Sequence, residues 1–127
     1  MQIKLKPLDE QAIVITGATS GIGIVTARLA AARGARLMLV SREETALTEL
    51  VRELSREAKD GVAHTVADVG DRNQLQAAAD AAIQRFGGFD TWINNAGVSI
   101  CGRCADVPLD EQRKLFDTNF WVSCTDP

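Results

Sequence analysis

Three groups of residues in this chain have the types and spacing to do binding chemistry. The first is Thr16-Gly17-Ala18-Thr19-Ser20-Gly21-Ile22-Gly23, which follows the apolar run Ala12-Ile13-Val14-Ile15 and opens a helical pattern. At such a strand-to-helix turn Gly17 lets the chain reverse sharply, Gly21 lets backbone approach a ligand, and Gly23 lets the helix pack on the strand. Free N–H groups at a helix start attract anionic oxygens, so Thr19, Ser20, Gly21 and Ile22 are expected to meet the pyrophosphate of a dinucleotide. The second group is Ser41-Arg42, at the end of a further apolar run and about 20 positions past the glycines. An acidic residue there would accept hydrogen bonds from ribose hydroxyls and repel a 2′-phosphate. Neutral Ser41 followed by the planar cation of Arg42 instead favours NADP over NAD. The plainer alternative for Arg42 is a solvated residue ahead of a helix. The third group is Asn94-Asn95-Ala96-Gly97, which closes a buried apolar segment. Paired amides in that place need partners and imply a hydrogen-bond network, while small Ala96 and Gly97 let a ligand lie against backbone.

The elements that must position these groups alternate strand and helix. Strands are expected over 12–15, 36–40, 62–67 and 89–94, each short and apolar as suits burial on both faces. A helix over 22–32 should close at Gly34. The helix over 43–59 carries Leu47, Leu50, Val51 and Leu54 on one face, and the helix over 71–86 carries Leu75, Ala78, Ala79, Ala82, Ile83 and Phe86. Residues 97–107 read as a loop, and Pro108 opens a last helix with Leu109, Leu115, Phe116 and Phe120. The order implies an α/β fold, a Rossmann-type doubly wound parallel sheet with four strands in these 127 residues.

Length and composition restrict the remaining classes. One domain at most fits 127 residues, and 46% apolar with 24% charged residues suits a globular core. A net charge of −3 with both signs interspersed gives no reason to expect nucleic acid or an anionic membrane as partner. No apolar run reaches the roughly 20 residues of a membrane span, and the first residues lack the apolar core of a signal peptide, so a cytoplasmic protein is expected. The odd set Cys101, Cys104 and Cys124 suits free thiols. Cys101 and Cys104 have the spacing of a metal or redox pair, but no second pair accompanies them, and His64 lies on another element. No metal site is expected, and His64 reads as a strand surface or packing position.

The Thr16-Gly17-x-x-x-Gly21-x-Gly23 turn, together with Asn94-Asn95-Ala96-Gly97 downstream, resembles the short-chain dehydrogenase/reductase family over about Gln11 to Trp121. The resemblance implies an oxidoreductase that moves a hydride between nicotinamide and a carbonyl or alcohol substrate. It implies that Asp68 accepts a hydrogen bond from the adenine amino group and that Val69 packs on the ring, though Asp68 could also cap the helix that starts near Asp71. It implies that Asn94, Ala96 and Gly97 brace the sheet and form the wall beside the adenosine ribose. For Asn119 it implies a catalytic part, distorting its helix locally and holding a water in a proton relay. The family's serine, tyrosine and lysine are not matched, and the chain contains no tyrosine. The expectation is therefore the amino-terminal portion of an NADP-dependent enzyme, inactive by itself, with a non-catalytic nucleotide-binding or interaction module as the alternative. Self-association through the outer strand over 89–94 is expected. Residues 122–127 depart from the family's continuation, and one lost G after the Trp121 codon would produce them, so they are expected to be an aberrant tail. A natural or engineered terminus is the other reading.

Overall fold

The computed structural model describes residues 4–58 and 61–122. Its centre is a four-stranded parallel sheet in the order β3-β2-β1-β4, built from β1 (Ala12–Thr16), β2 (Arg36–Ser41), β3 (Val62–Val66) and β4 (Thr91–Ile93). The connecting helices are α1 (Gly21–Ala32), α2 (Glu44–Ala58) and α3 (Arg72–Phe86), and α4 (Leu109–Phe116) follows β4. This is the expected Rossmann-type arrangement.

Strand alternation divides the core between the two faces of the sheet. Ile13, Ile15, Leu37 and Leu39 pack beneath Ala27, Ala30 and Ala31 of α1 and Leu47, Leu50 and Leu54 of α2. Val14, Met38 and Val40 point the other way, onto Ala78 and Ala82 of α3. Both faces of β1 and β2 are thus covered, which is why those strands read as unbroken apolar runs. Each large aliphatic residue buried here contributes about 1.5–3 kcal/mol. The alanines let α1 and α3 lie close to the sheet.

Two elements differ from the sequence expectation at their edges. β4 is three residues long rather than six, because Asp90 is used ahead of it as an anchor. The Asp90 carboxylate accepts from Ala12 N at 2.8 Å and from Lys6 Nζ at 3.0 Å, so the amino end of β1 is pinned through a side chain. The Ala12 N–H, helped by the Lys6 ammonium, holds the Asp90 carboxyl below its ordinary range. Ile83, expected on the packed face of α3, is 50% exposed, since Leu75, Ala78, Ala79 and Ala82 already fill the narrow stripe that meets the sheet. His64 is half-buried on β3.

The last helix also behaves differently. Leu109, Phe116 and Phe120 are each more than half exposed, although their spacing suggested a packed face. After Phe116 the chain forms a π-helical turn, Asp117–Trp121. Helix continues into Val122, the first residue of the expected aberrant tail, which is buried against Val69 and Leu75. That contact ties the end of the π-helical turn to the segment after β3. Lys59 and the remainder of the expected tail, including Cys124, lie outside the described residues.

Candidate functional site

The carboxyl ends of β1, β2 and β4 surround a cleft of about 530 Å³, a size typical of ligand pockets at roughly 300–1,000 Å³. Its position follows from topology. Chains leaving β1 and β4 diverge to opposite faces of the sheet, and the crevice between them is where doubly wound folds bind ligands.

One side of the cleft is the glycine turn, through Gly17, Thr19, Ser20, Gly21 and Ile22. Gly17 has φ +64°, and a Cβ there would approach Ala96 Cα to 2.8 Å. Gly23 is not on the cleft surface. A Cβ at Gly23 would collide with the Gly17 carbonyl oxygen and reach 2.6 Å from Asn95 Nδ2, so its role is to let α1 close on the turn. Gly21 instead faces open space. Ser20, the residue before α1, makes no side-chain cap, so the first N–H groups of the helix are left to solvent or to a ligand.

The turn is locked to β4 by two residues. Asn95 Nδ2 donates to Thr16 O and Gly17 O, both at 3.1 Å. Thr16 Oγ1 accepts from Asn95 N and Ala96 N, both at 3.1 Å, and donates to Ile93 O at 3.3 Å. Of the paired asparagines, it is therefore Asn95 that builds the network and touches the cleft. Asn94 lies on the other side of the strand, where its Oδ1 accepts from Trp92 Nε1 at 2.9 Å, and it is not a cleft residue. Ala96 and Gly97 line the cleft beside Asn95.

The second side comes from the end of β2. Ser41 and Arg42 both line the cleft. Ser41 Oγ lies 2.9 Å from Thr19 Oγ1 and accepts from Glu43 N at 3.3 Å, which joins the glycine turn to the head of α2. Arg42 is exposed and has no ion-pair partner among the described residues. The third side is Asp68 and Val69. Asp68 Oδ1 accepts from Gly70 N at 2.9 Å and does not cap α3. That cap is Asp71, accepting from Asn73 N at 2.9 Å and Gln74 N at 3.2 Å.

Asn119 sits in the π-helical turn and grips the loop after β4. Its Oδ1 accepts from Val98 N at 2.8 Å, and its Nδ2 donates to Val98 O at 2.7 Å. The adjacent Thr118 is buried and lines the cleft, so the π-helical turn both shapes one wall and fixes the chain beyond Gly97. Sequence reasoning missed Glu43, Ala46, Ala67, Val98 and Thr118 as lining residues and did not separate Asn95 from Asn94. Glu43 had a usable signal, being next to Arg42. Cys101 and Cys104 are free and exposed, and no group of three metal-ligating side chains occurs among the described residues.

The cleft thus combines a glycine turn and an uncapped helix start with small residues that leave backbone accessible and a corner that carries Arg42 and Glu43. The family model for short chain dehydrogenases matches residues 11–124. The uncharacterised oxidoreductase YxnA of Bacillus subtilis (strain 168) is 49% identical over 120 residues, covering 94% of this chain and 33% of that protein. The crystal structure of a short-chain dehydrogenase/reductase from Burkholderia phymatum in complex with NAD superposes with a TM-score of 0.88 at 34% identity, covering 95% of this chain and 43% of that one. L-sorbose reductase from Gluconobacter frateurii, complexed with NADPH and L-sorbose, gives a TM-score of 0.85 at 27% identity, with 91% and 44% covered. The chain spans about a third of the length of the curated relatives it matches. Among the described residues no helix is long and apolar enough to cross a membrane. With its glycine turn, sheet order and matched length taken together, the chain belongs to the short-chain dehydrogenase/reductase family of oxidoreductases.

Proposed function

We propose that these residues form the cofactor-binding portion of an NADP-dependent cytoplasmic oxidoreductase acting on a carbonyl or alcohol substrate. The observation that carries the choice of cofactor is Ser41-Arg42 on the wall of the cleft that holds the glycine turn, with a neutral side chain at the ribose-facing position. Relatives of similar fold carry NAD in one case and NADPH in another, so the preference rests on this chain's own corner. Arg42 brings a planar fork of donors suited to phosphate oxygens, and the Ser41 hydroxyl stands beside it.

In this reading the N–H groups at the start of α1 hold the pyrophosphate. Asp68 accepts from the adenine amino group, Val69 covers the ring, and Ala96 and Gly97 form the wall beside the ribose. Once bound, the nicotinamide supplies or accepts a hydride. Asn119 holds the loop at Val98 and so keeps that wall in place, and its π-helical turn is where a relay water would sit. The 127 residues contain no tyrosine to act as a phenolic acid, so this segment alone is expected to bind dinucleotide without turning over substrate. The outer edge of β4, next to half-buried Trp92 and Ile93, is open to pairing with a second copy, which light scattering over a concentration series tests directly.

The test of the cofactor assignment is a paired fluorescence titration with NADPH and NADH. Tighter binding of NADPH, abolished as a preference by Arg42→Ala, is the expected result. Tighter binding of NADH by the unaltered chain would overturn it.

A further inference from the structure

We propose that Glu43 is a specificity-determining residue that holds back the preference for the 2′-phosphorylated cofactor. The proposal rests on the reading that Arg42 takes the 2′-phosphate. Glu43 follows Arg42 directly and lines the same cleft. Its backbone is fixed on both sides, since its N–H donates to Ser41 Oγ at 3.3 Å and its carbonyl accepts from Leu47 N at 3.0 Å. The residue is thereby held at the head of α2, beside the hydroxyl expected to meet the ribose. Its side chain is exposed, and among the described residues it has no ion-pair partner, as Arg42 has none.

Two unneutralised side chains of opposite sign therefore stand at one corner. Over the whole cleft the lining contains one guanidinium, Arg42, against two carboxylates, Glu43 and Asp68. Asp68 is engaged with Gly70 N and belongs to a different side of the cleft. Glu43 is the carboxylate adjacent in sequence to the phosphate-binding cation. A phosphate monoester with about −1.5 to −2 charge at neutral pH is attracted by Arg42 and repelled by Glu43, whereas a ribose hydroxyl can donate to the same carboxylate. The corner thus tolerates both cofactors, with a preference smaller than Arg42 alone would give.

Glu43→Gln removes the charge while keeping a carbonyl acceptor and leaving the backbone N–H to Ser41 in place. At low salt it should tighten NADPH by about five-fold through the lost repulsion, with NADH changed by less than about two-fold. The gain should shrink at high ionic strength. Glu43→Asp should keep the unaltered ratio, as should Glu44→Gln, which removes a neighbouring charge outside the cleft lining. Fluorescence titration of both cofactors to the full chain and its variants reads all of these without turnover. An unchanged NADPH-to-NADH ratio in Glu43→Gln, or an equal shift in Glu44→Gln, would overturn the role of Glu43. If Arg42→Ala still lowers the ratio in that case, the NADP reading survives. A ratio that Arg42→Ala leaves untouched would overturn the NADP reading and this proposal with it.

Discussion

The glycine corner and the ribose corner face each other across one cleft but are held by different physics. At the glycine corner the side chains that matter are absent or neutral. Gly17 and Gly23 exclude Cβ atoms, and Asn95 and Thr16 satisfy backbone groups of both strands. At the ribose corner Arg42 and Glu43 are exposed, charged and without ion-pair partners among the described residues. In the proposed function the first corner is a backbone shape that accepts either dinucleotide, and the second is a charge arrangement that chooses between them at little cost to folding.

The largest expected effect breaks the first corner. Gly23→Ala drives a methyl group into the Gly17 carbonyl and toward Asn95. About 3 kcal/mol of stability should be lost, together with binding of both cofactors, as chemical denaturation and titration would register. Unchanged stability would mean that α1 can slide away from the turn. Asn95→Ala comes next. It removes donors to Thr16 O and Gly17 O and should cost about 1–3 kcal/mol, weakening NADPH and NADH equally. A change in their ratio would show that the two corners are coupled.

The second corner should answer in the opposite manner. Arg42→Ala is expected to weaken NADPH about ten-fold, leave NADH near its original affinity and leave the melting temperature unchanged. Loss of stability in that variant would blur the distinction. The smallest effect lies at the far end of β1. Asp90 has a folded pKa below its unfolded value, so its contribution is present above the ordinary carboxylate range and is lost as pH falls through the folded value. Asp90→Asn should flatten the acid limb of a stability–pH curve, and a curve unchanged in that limb would assign acid sensitivity to other carboxylates.

The same contrast explains what was legible in the sequence. The strands and helices follow from apolar runs and the glycine turn, because burial on both faces leaves a continuous signature in β1 and β2. Asn95 could not be distinguished from Asn94 because the choice depends on the register Ile15↔Ile93, which directs one amide toward β1 and its neighbour away. The bracing bonds of Thr16 to the chain after β4 are hidden for the same reason. The late start of β4 reflects a long-range bond, from Ala12 N to the Asp90 carboxylate, that no local pattern encodes. Phe116 and Phe120 have helical spacing, yet spacing alone does not say whether a face meets the sheet.

The most direct measurement is a crystal structure of the chain with NADPH bound. The expected result places the pyrophosphate on the N–H groups at the start of α1 and the 2′-phosphate within hydrogen-bonding distance of Arg42 and Ser41. A 2′-phosphate turned into solvent, with Arg42 directed away from it, would contradict the assignment of this corner as the element that selects the cofactor.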